Sequence, residues 1–384
     1  MMTERLYNQD AYLTHFEGKV LDCSPEGDGY AVVLDRTAFF PEGGGQKSDV
    51  GTLNGIPVTD VQEKSGTVYH TLSAPLNAGE TVVGEIDWAR RFSAMQNHTG
   101  EHILSGILHA RFGYNNVGFH LGDDVVTLDV DGKPSEEDLK ACETAANEAV
   151  VANHSVTVSF PSAEELAVLD YRSKLEMTEN VRIVTIGTVD CCACCAPHVS
   201  KTGEIGIIKI LKAYPNKQGT RIEILCGFRA LEDYRLKAEQ NSRIMKLLAV
   251  PSEQTADAVE RLQGTLSAQS NELKTLRDTV SLLSLKPEYL NGVCFAHLPN
   301  TGFDGLCSCA NSLTPEFDGI CLLISDNGDN CIFVLASSKQ DIQPMLVEMR
   351  TALHAKGGGK SNYAQGVLPC SAEDVRHFVE TVSL

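Results

Sequence analysis

A chain of 384 residues with 42% hydrophobic and 22% charged content can bury sizeable cores and is too long for one ordinary domain. Its net charge of −19 argues against a protein that coats nucleic acid nonspecifically, because a polyanion is repelled at long range. Neither a leader pattern nor an apolar run of membrane length is read in the sequence, so a cytoplasmic protein with no membrane contact is expected, its thirteen cysteines reduced or bound to metal.

In chain order, residues 1–90 carry short alternating runs such as YAVVLD at 30–35 and TVVGEID at 81–87, broken by Gly, Pro and Asp. That pattern predicts a small antiparallel β-barrel. Inside it, Pro41-Glu42-Gly43-Gly44-Gly45-Gln46 reads on spacing alone as a hairpin turn, although three glycines also let a backbone approach a ligand closely. The Gln46 amide can both donate to and accept from a small polar substrate.

Residues 91–229 read as an α+β layer, with a helix over 97–112, a second over 135–153, and strands at 155–160, 181–186, 205–211 and 220–225. The first helix contains HTGEH at 98–102, and Ile103, Leu104, Ile107, Leu108 and Phe112 recur at helical steps. His98 and His102 therefore present two ring nitrogens on one face. About ninety residues on, DCCACCAPH ends at His198 on a predicted loop or turn. Cys194 and His198 stand four residues apart, with Cys191, Cys192 and Cys195 close enough to compete as ligands. Imidazoles and thiolates converging from separate segments are what a zinc ion needs, so His98, His102, Cys194 and His198 are the expected ligands of Zn2+. Glu101 is set aside as a base, since on a helix it points about 100° away from His102, toward solvent. The stretch 198–229 carries Lys201, Lys209, Lys212, Lys217, Arg221 and Arg229 against Glu204 and Glu223, which predicts either a local basic face or a solvated strand edge.

From 230 to 286 the chain is predicted helical, with Val259, Leu262, Leu266, Gln269, Leu273, Leu276, Val280 and Leu283 forming a heptad seam. The seam can close as a hairpin turned at Pro251 or pair with a second copy, and a homodimer through this coiled coil or the C-terminal part is the favoured expectation. Residues 287–384 read as an α/β unit with strands at 319–325 and 331–336 and a helix over 342–354. Its cysteines, Cys307 and Cys309 included, offer no second ligand spacing. After the helix, the glycines of Lys356-Gly357-Gly358-Gly359-Lys360 are expected to form a loop able to turn N–H groups toward a phosphate, with Gly358, Gly359 and Lys360 as RNA-binding candidates.

His-x3-His and Cys-x3-His, together with FFPEGGGQKSDVG at 39–51 and TGEIG at 202–206, resemble the editing domain of alanyl-tRNA synthetases and their free-standing relatives, the AlaX proteins. GGGKSNYAQG at 357–366 resembles the glycine-rich motif of the DHHA1 domain, so the chain looks like the long form of AlaX. Two departures stand out: the family usually reads Cys-Gly-Gly-Thr-His where this chain has Cys194-Cys195-Ala196-Pro197-His198, and Ala where Gly100 stands.

The resemblance implies an α+β multidomain protein: a β-barrel-like domain (1–90), a zinc-containing editing domain (91–229), a helical linker (230–286) and a DHHA1-like domain (287–384). It implies deacylation of tRNA(Ala) carrying a wrong amino acid, serine foremost and glycine next, with no aminoacylation. By the same resemblance Gln46, Thr37, Gly44 and Gly45 are substrate-binding candidates. A zinc-bound water, with Gln46 as a candidate helper, is the expected catalytic element, since bound water ionises far more readily than free water. Two other classes share the metal: an RNA-binding scaffold with a purely structural zinc, and a zinc hydrolase of small esters.

Overall fold

Six strands close into a barrel in the order His15–Glu26, Gly29–Leu34, Thr67–Leu72, Ile56–Lys64, Gly51–Leu53 and Thr81–Ile86, as the alternating runs predict. In the computed structural model, residues 2–173, 181–217, 219–328 and 330–382 are described. Every second residue of Thr81–Ile86 and of Thr67–Leu72 is buried, so one face of each strand fills a core around Val32, Leu34, Phe39, Leu53 and Val61. His70 sits in this core with no exposed surface. Its Nδ1–H donates to the Val32 carbonyl at 3.0 Å and its Nε2 accepts from the Thr37 hydroxyl at 2.8 Å, which requires the neutral ring.

The barrel leads directly into the helix Trp88–Phe112, started by Asp87, whose side chain accepts from Arg90 N, and ended by Gly113 at φ 71°. With the helix Glu136–Val151 it packs on an antiparallel sheet ordered Ile208–Asn216, Gly219–Cys226, Val126–Val130, Asn116–Leu121. Ile103, Leu104 and Leu108 from the helix meet Leu128, Ile222 and Ile224 from the sheet. A separate three-stranded sheet runs Val156–Ser159, Ile183–Ile186, Asp190–Ala193. Two expectations shift here. The strand expected at 205–211 starts at Ile208, because Thr202–Ile205 forms a 3₁₀ turn. Cys191 and Cys192, expected on a loop, lie on a strand, held by pairing with Thr185 and Val184.

The chain divides into two compact units, 1–240 and 241–384. The helix Gly227–Leu248 carries the boundary. In the second unit the helix Thr255–Leu283 leaves its seam open: Val259, Leu262, Leu266, Leu273, Leu276, Val280 and Leu283 are all exposed. A six-stranded mixed sheet follows, ordered Glu288–Leu290, Val293–His297, Ile320–Asn327, Asn330–Ala336, Tyr363–Leu368, Lys356–Lys360. Alternate residues feed two cores, Phe295, Leu322 and Phe333 on one side and Cys294, Leu323 and Val334 on the other. The glycine segment expected as a loop is the strand Lys356–Lys360 at the sheet's edge, exposed throughout and paired with Tyr363–Leu368. Among the described residues no helix is long and apolar enough to cross a membrane.

Burial lowers the His70 pKa from 6.5 to about 4. The folded state then binds fewer protons than the unfolded chain, so this contribution is complete above pH 6.5 and is lost as the pH falls toward 4. Denaturant unfolding of the first unit within the full chain should show about 2 kcal/mol less stability at pH 5 than at pH 7 from this group. A His70→Gln variant should lack that part of the pH dependence; an unchanged profile would refute the assignment.

Candidate metal centre

His98 and His102 project side by side from Trp88–Phe112, their ring centroids 5.3 Å apart. The His198 ring lies 4.9 Å from the first and 4.8 Å from the second. Cys194 Sγ completes the group, 3.5 Å from His98 Nε2 and 3.3 Å from His198 Nε2. One donor atom from each of the four residues lies within 4.8 Å of all the others. A tetrahedral zinc with bonds of about 2.05 Å to nitrogen and about 2.3 Å to sulfur sets those atoms about 3.5 Å apart, so the spacing suits such an ion. Of the competing thiols, Cys191 and Cys195 lie outside the group, and Cys192 joins only a neighbouring cluster with His102 and Asp190.

Each imidazole is aimed by an oxygen behind it. His98 Nδ1 donates to Gln46 Oε1 at 2.8 Å, His102 Nδ1 to Asp190 Oδ2 at 3.1 Å, and His198 Nδ1 to Thr99 Oγ1 at 3.0 Å. Gln46 Oε1 and Asp190 Oδ2 can only accept, which puts the proton of His98 and His102 on Nδ1; the Thr99 hydroxyl can accept from His198 in the same way, leaving Nε2 lone pairs for a metal. Asp190 is held in turn by Arg172 Nε at 2.7 Å, and Arg172 also donates to Ser105 Oγ at 2.8 Å. Burial pushes the Asp190 pKa up, but the hydrogen bonds from His102 and Arg172 outweigh it and keep the carboxylate ionised. Burial also opposes a thiolate at Cys194, yet the charge and hydrogen bonds that His98, His198 and His102 offer when protonated, without a metal, hold its pKa well below the usual thiol range. Burial lowers His198 to about 3, the neutral form that a metal requires.

The glycine motif explains how the barrel reaches this centre. Gly43 and Gln46 exchange both backbone hydrogen bonds at 3.0 Å around Gly44 and Gly45, whose φ values of 60° and 81° are those of a two-residue turn. A Cβ on Gly45 would lie 2.5 Å from the Phe119 carbonyl, so the close approach this glycine permits is to the neighbouring strand. The turn is tied to the helix by Arg91, which is fully buried and donates to Asp49 and, at 2.6 Å, to the Ala38 carbonyl.

A cavity of about 800 Å³ opens beside the centre, with His98, His102, Cys194, Glu101, Gly43 and Gly44 among its lining. Gly44 is thus at the cavity wall, whereas Gln46, Thr37 and Gly45 are not among the lining residues. Gln46 is buried with its carbonyl taken by His98 and its Nε2 unpartnered among the described residues. Thr37 is committed to His70 and Phe39 N. Glu101, expected in solvent, is instead 2% exposed and faces the cavity, because the strand Asn116–Leu121 covers that side of the helix. Half of the basic stretch is neutralised: Lys209 pairs with Glu143, Lys212 with Glu223 and Arg221 with Asp129, and none of the three lines the cavity. Gly358, Gly359 and Lys360 belong to the second unit, on the exposed edge strand.

The sequence reading missed Asp190, Arg172 and Asn116. Asp190 directly precedes Cys191, and its adjacency to the thiols was the one available signal. Gly100 is explained by a partner far away in sequence: an added Cβ would come within 2.4 Å of the buried Cys226 Sγ.

Comparison with known proteins matches residues 181–223 to the second additional domain of threonyl and alanyl tRNA synthetases, and residues 7–90 to class II (A) tRNA synthetases. The alanyl-tRNA editing protein AlaX-L of Pyrococcus horikoshii is 29% identical, across 97% of this chain and 96% of that protein. The alanyl-tRNA editing protein Aarsd1 of Mus musculus is also 29% identical, across 94% of this chain and 93% of its own length. Along nearly its whole length this chain is similar to the AlaX-L and Aarsd1 editing proteins. The alanine–tRNA ligase of Methanococcus vannielii is 30% identical across 97% of this chain, which spans only 43% of the ligase. A solved C-Ala domain from the Aquifex aeolicus alanyl-tRNA synthetase covers 25% of the chain at 22% identity with a TM-score of 0.22, too low to bear on the fold.

For this AlaX-L and Aarsd1 relative, bound metal measured by elemental analysis should fall well below one ion per chain in Cys194→Ser and stay near one in Cys195→Ser. The reverse pattern would move the sulfur ligand to Cys195. Gly100→Ala should destabilise the protein by about 1–3 kcal/mol through overpacking. Adding Cys226→Ala should recover part of that loss, whereas simple additivity would mean that the two residues do not share the space.

Proposed function

We infer that this chain is a trans-editing hydrolase that removes a wrong amino acid from mischarged tRNA(Ala) by hydrolysing the ester at its 3′ end. The observation that carries this reading is a cavity of about 800 Å³ walled by three candidate metal ligands and the Gly43–Gly44 turn, in a chain that aligns nearly end to end with alanyl-tRNA editing proteins. That volume is of the size that holds a small ligand and most of its surface. Serine is the proposed amino acid, with glycine next, because a pocket that selects alanine during charging cannot strongly exclude either.

His98, His102, Cys194 and His198 are proposed to hold Zn2+, for which three neutral imidazoles and one thiolate are a fitting donor set. When bound, zinc would supply a Lewis acid that, on accepting a further ligand from the cavity side, can polarise a carbonyl or ease the ionisation of water. Gln46, Asp190 and Thr99 keep the three rings in register through their Nδ1 hydrogens. Gly43 and Gly44 give the substrate a wall without side chains, and Gly45 and Gln46 complete the turn that carries it.

In the second unit, a DHHA1-like role is proposed for residues 287–384, with Gly358, Gly359 and Lys360 of the exposed edge strand contacting the RNA backbone. The open seam of Thr255–Leu283, flanked by the opposite charges of Glu272 and Arg277, is the proposed contact of a homodimer. The proposed location is the cytoplasm, where tRNA is charged. Four protein ligands also suit a purely structural ion, but a buried structural ion has no use for a cavity against three of its ligands.

Purified protein should release serine from Ser-tRNA(Ala) and spare Ala-tRNA(Ala), and His98→Ala should lower that rate at least about a hundredfold while circular dichroism shows a folded chain. Deacylation at full rate by protein shown to be free of metal would contradict the role given to the site.

A further inference from the structure

We propose that Glu101 is the anchor for the α-ammonium group of the aminoacyl ester, an assignment that rests on the editing reading above. Glu101 stands between the two helical histidines, three residues after His98 and one before His102, and faces the cavity that they face. Only 2% of it is exposed. It is not a member of the ligand group, so its carboxylate is not a donor to the candidate ion.

One carboxylate oxygen, Oε1, accepts from Asn116 Nδ2 at 2.7 Å, and Asn116 itself lines the cavity. No other described residue donates to this carboxylate, and its second oxygen opens on the cavity. No Lys, Arg or His among the described residues forms an ion pair with Glu101. Arg172, which also lines the cavity and interacts with Glu101 through charge alone, is committed by hydrogen bonds to Asp190 and Ser105.

A carboxylate removed from water is stable only where an opposite charge or several donors replace the lost solvation. Glu101 has one neutral donor, no ion pair and an oxygen open to the cavity, so a cation entering the cavity would complete its surroundings. An aminoacyl ester brings such a charge: its α-amine, protonated, lies two bonds from the carbonyl carbon that water attacks. Fixing that ammonium on Glu101 orients the ester beside His98, His102 and Cys194. It also selects an esterified amino acid over an ester of a simple hydroxy acid, because the latter leaves the carboxylate buried and unpaired. Asn116 positions the carboxylate by fixing one of its two oxygens.

The test compares seryl-tRNA(Ala) with tRNA(Ala) carrying 3-hydroxypropionate, the same ester without the amine, on metal-loaded wild type and Glu101→Gln. Wild type should prefer the seryl ester, and Glu101→Gln should reduce that preference in kcat/KM at least about tenfold, through KM more than kcat. Binding of the amide analogue 3′-(L-serylamino)-3′-deoxyadenosine, followed by calorimetry, should weaken by a similar factor at unchanged metal content. Asn116→Ala, which leaves the helix and the ligands untouched, should shift both readouts the same way by a smaller factor, and it carries the test if Glu101→Gln fails to fold. An unchanged preference in both variants would overturn the assignment while leaving the editing reading intact. A wild type that hydrolyses neither ester would remove the editing reading, and this one with it.

Discussion

The convergence of three imidazoles on one thiolate is the constraint that the rest of the first unit serves. Each ring has a single free lone pair aimed inward because its other nitrogen is engaged, and the engaging oxygens come from three different places. Gln46 arrives on the barrel's glycine turn, Asp190 starts the strand before the cysteine loop, and Thr99 lies on the histidine helix itself. A shift of the barrel against the helix would therefore release His98 first. The buried Arg91–Asp49 pair opposes that shift by joining the helix's first turn to the segment after the glycine turn. Breaking one partner of such a pair leaves a buried charge uncompensated, which makes the junction far more costly to open than a surface contact.

Much of this was legible in the chain, and the reasons are local. The four-residue step of His98 and His102 inside an apolar helical period needs no long-range information, and neither does the alternation of the barrel strands. The four proposed ligands do lie together, although their union spans about a hundred residues. What stayed hidden depends on which segments end up side by side. Glu101 is buried because the strand Asn116–Leu121 lies over it, and a helical-wheel angle carries no record of that strand. Gly100 is small because Cys226, brought in by a distant strand, occupies its space. Lys209, Lys212 and Arg221 look like a basic face in one dimension and are paired with acids in three.

The glycines show the same division between local and distant causes. At 43–45 the hairpin reading agrees with two positive φ values, and no ligand is needed to account for them. At 357–359 the same composition forms an edge strand: the absence of side chains lets Gly357 and Gly359 lie against Tyr363–Leu368 where a Cβ would meet backbone within 2.3 Å. Gln46 is the instructive case among the site residues. Expected as a contact to substrate, its carbonyl instead serves His98, one layer behind the cavity, and its Nε2 has no partner among the described residues.

The central claim is a single ion held by one sulfur and three nitrogens. X-ray absorption at the metal edge of the protein as purified tests it most directly. The account expects a four-coordinate shell with one sulfur at about 2.3 Å and three nitrogens at about 2.0–2.1 Å. Two or more sulfurs, or a six-coordinate shell of oxygen and nitrogen, would contradict it.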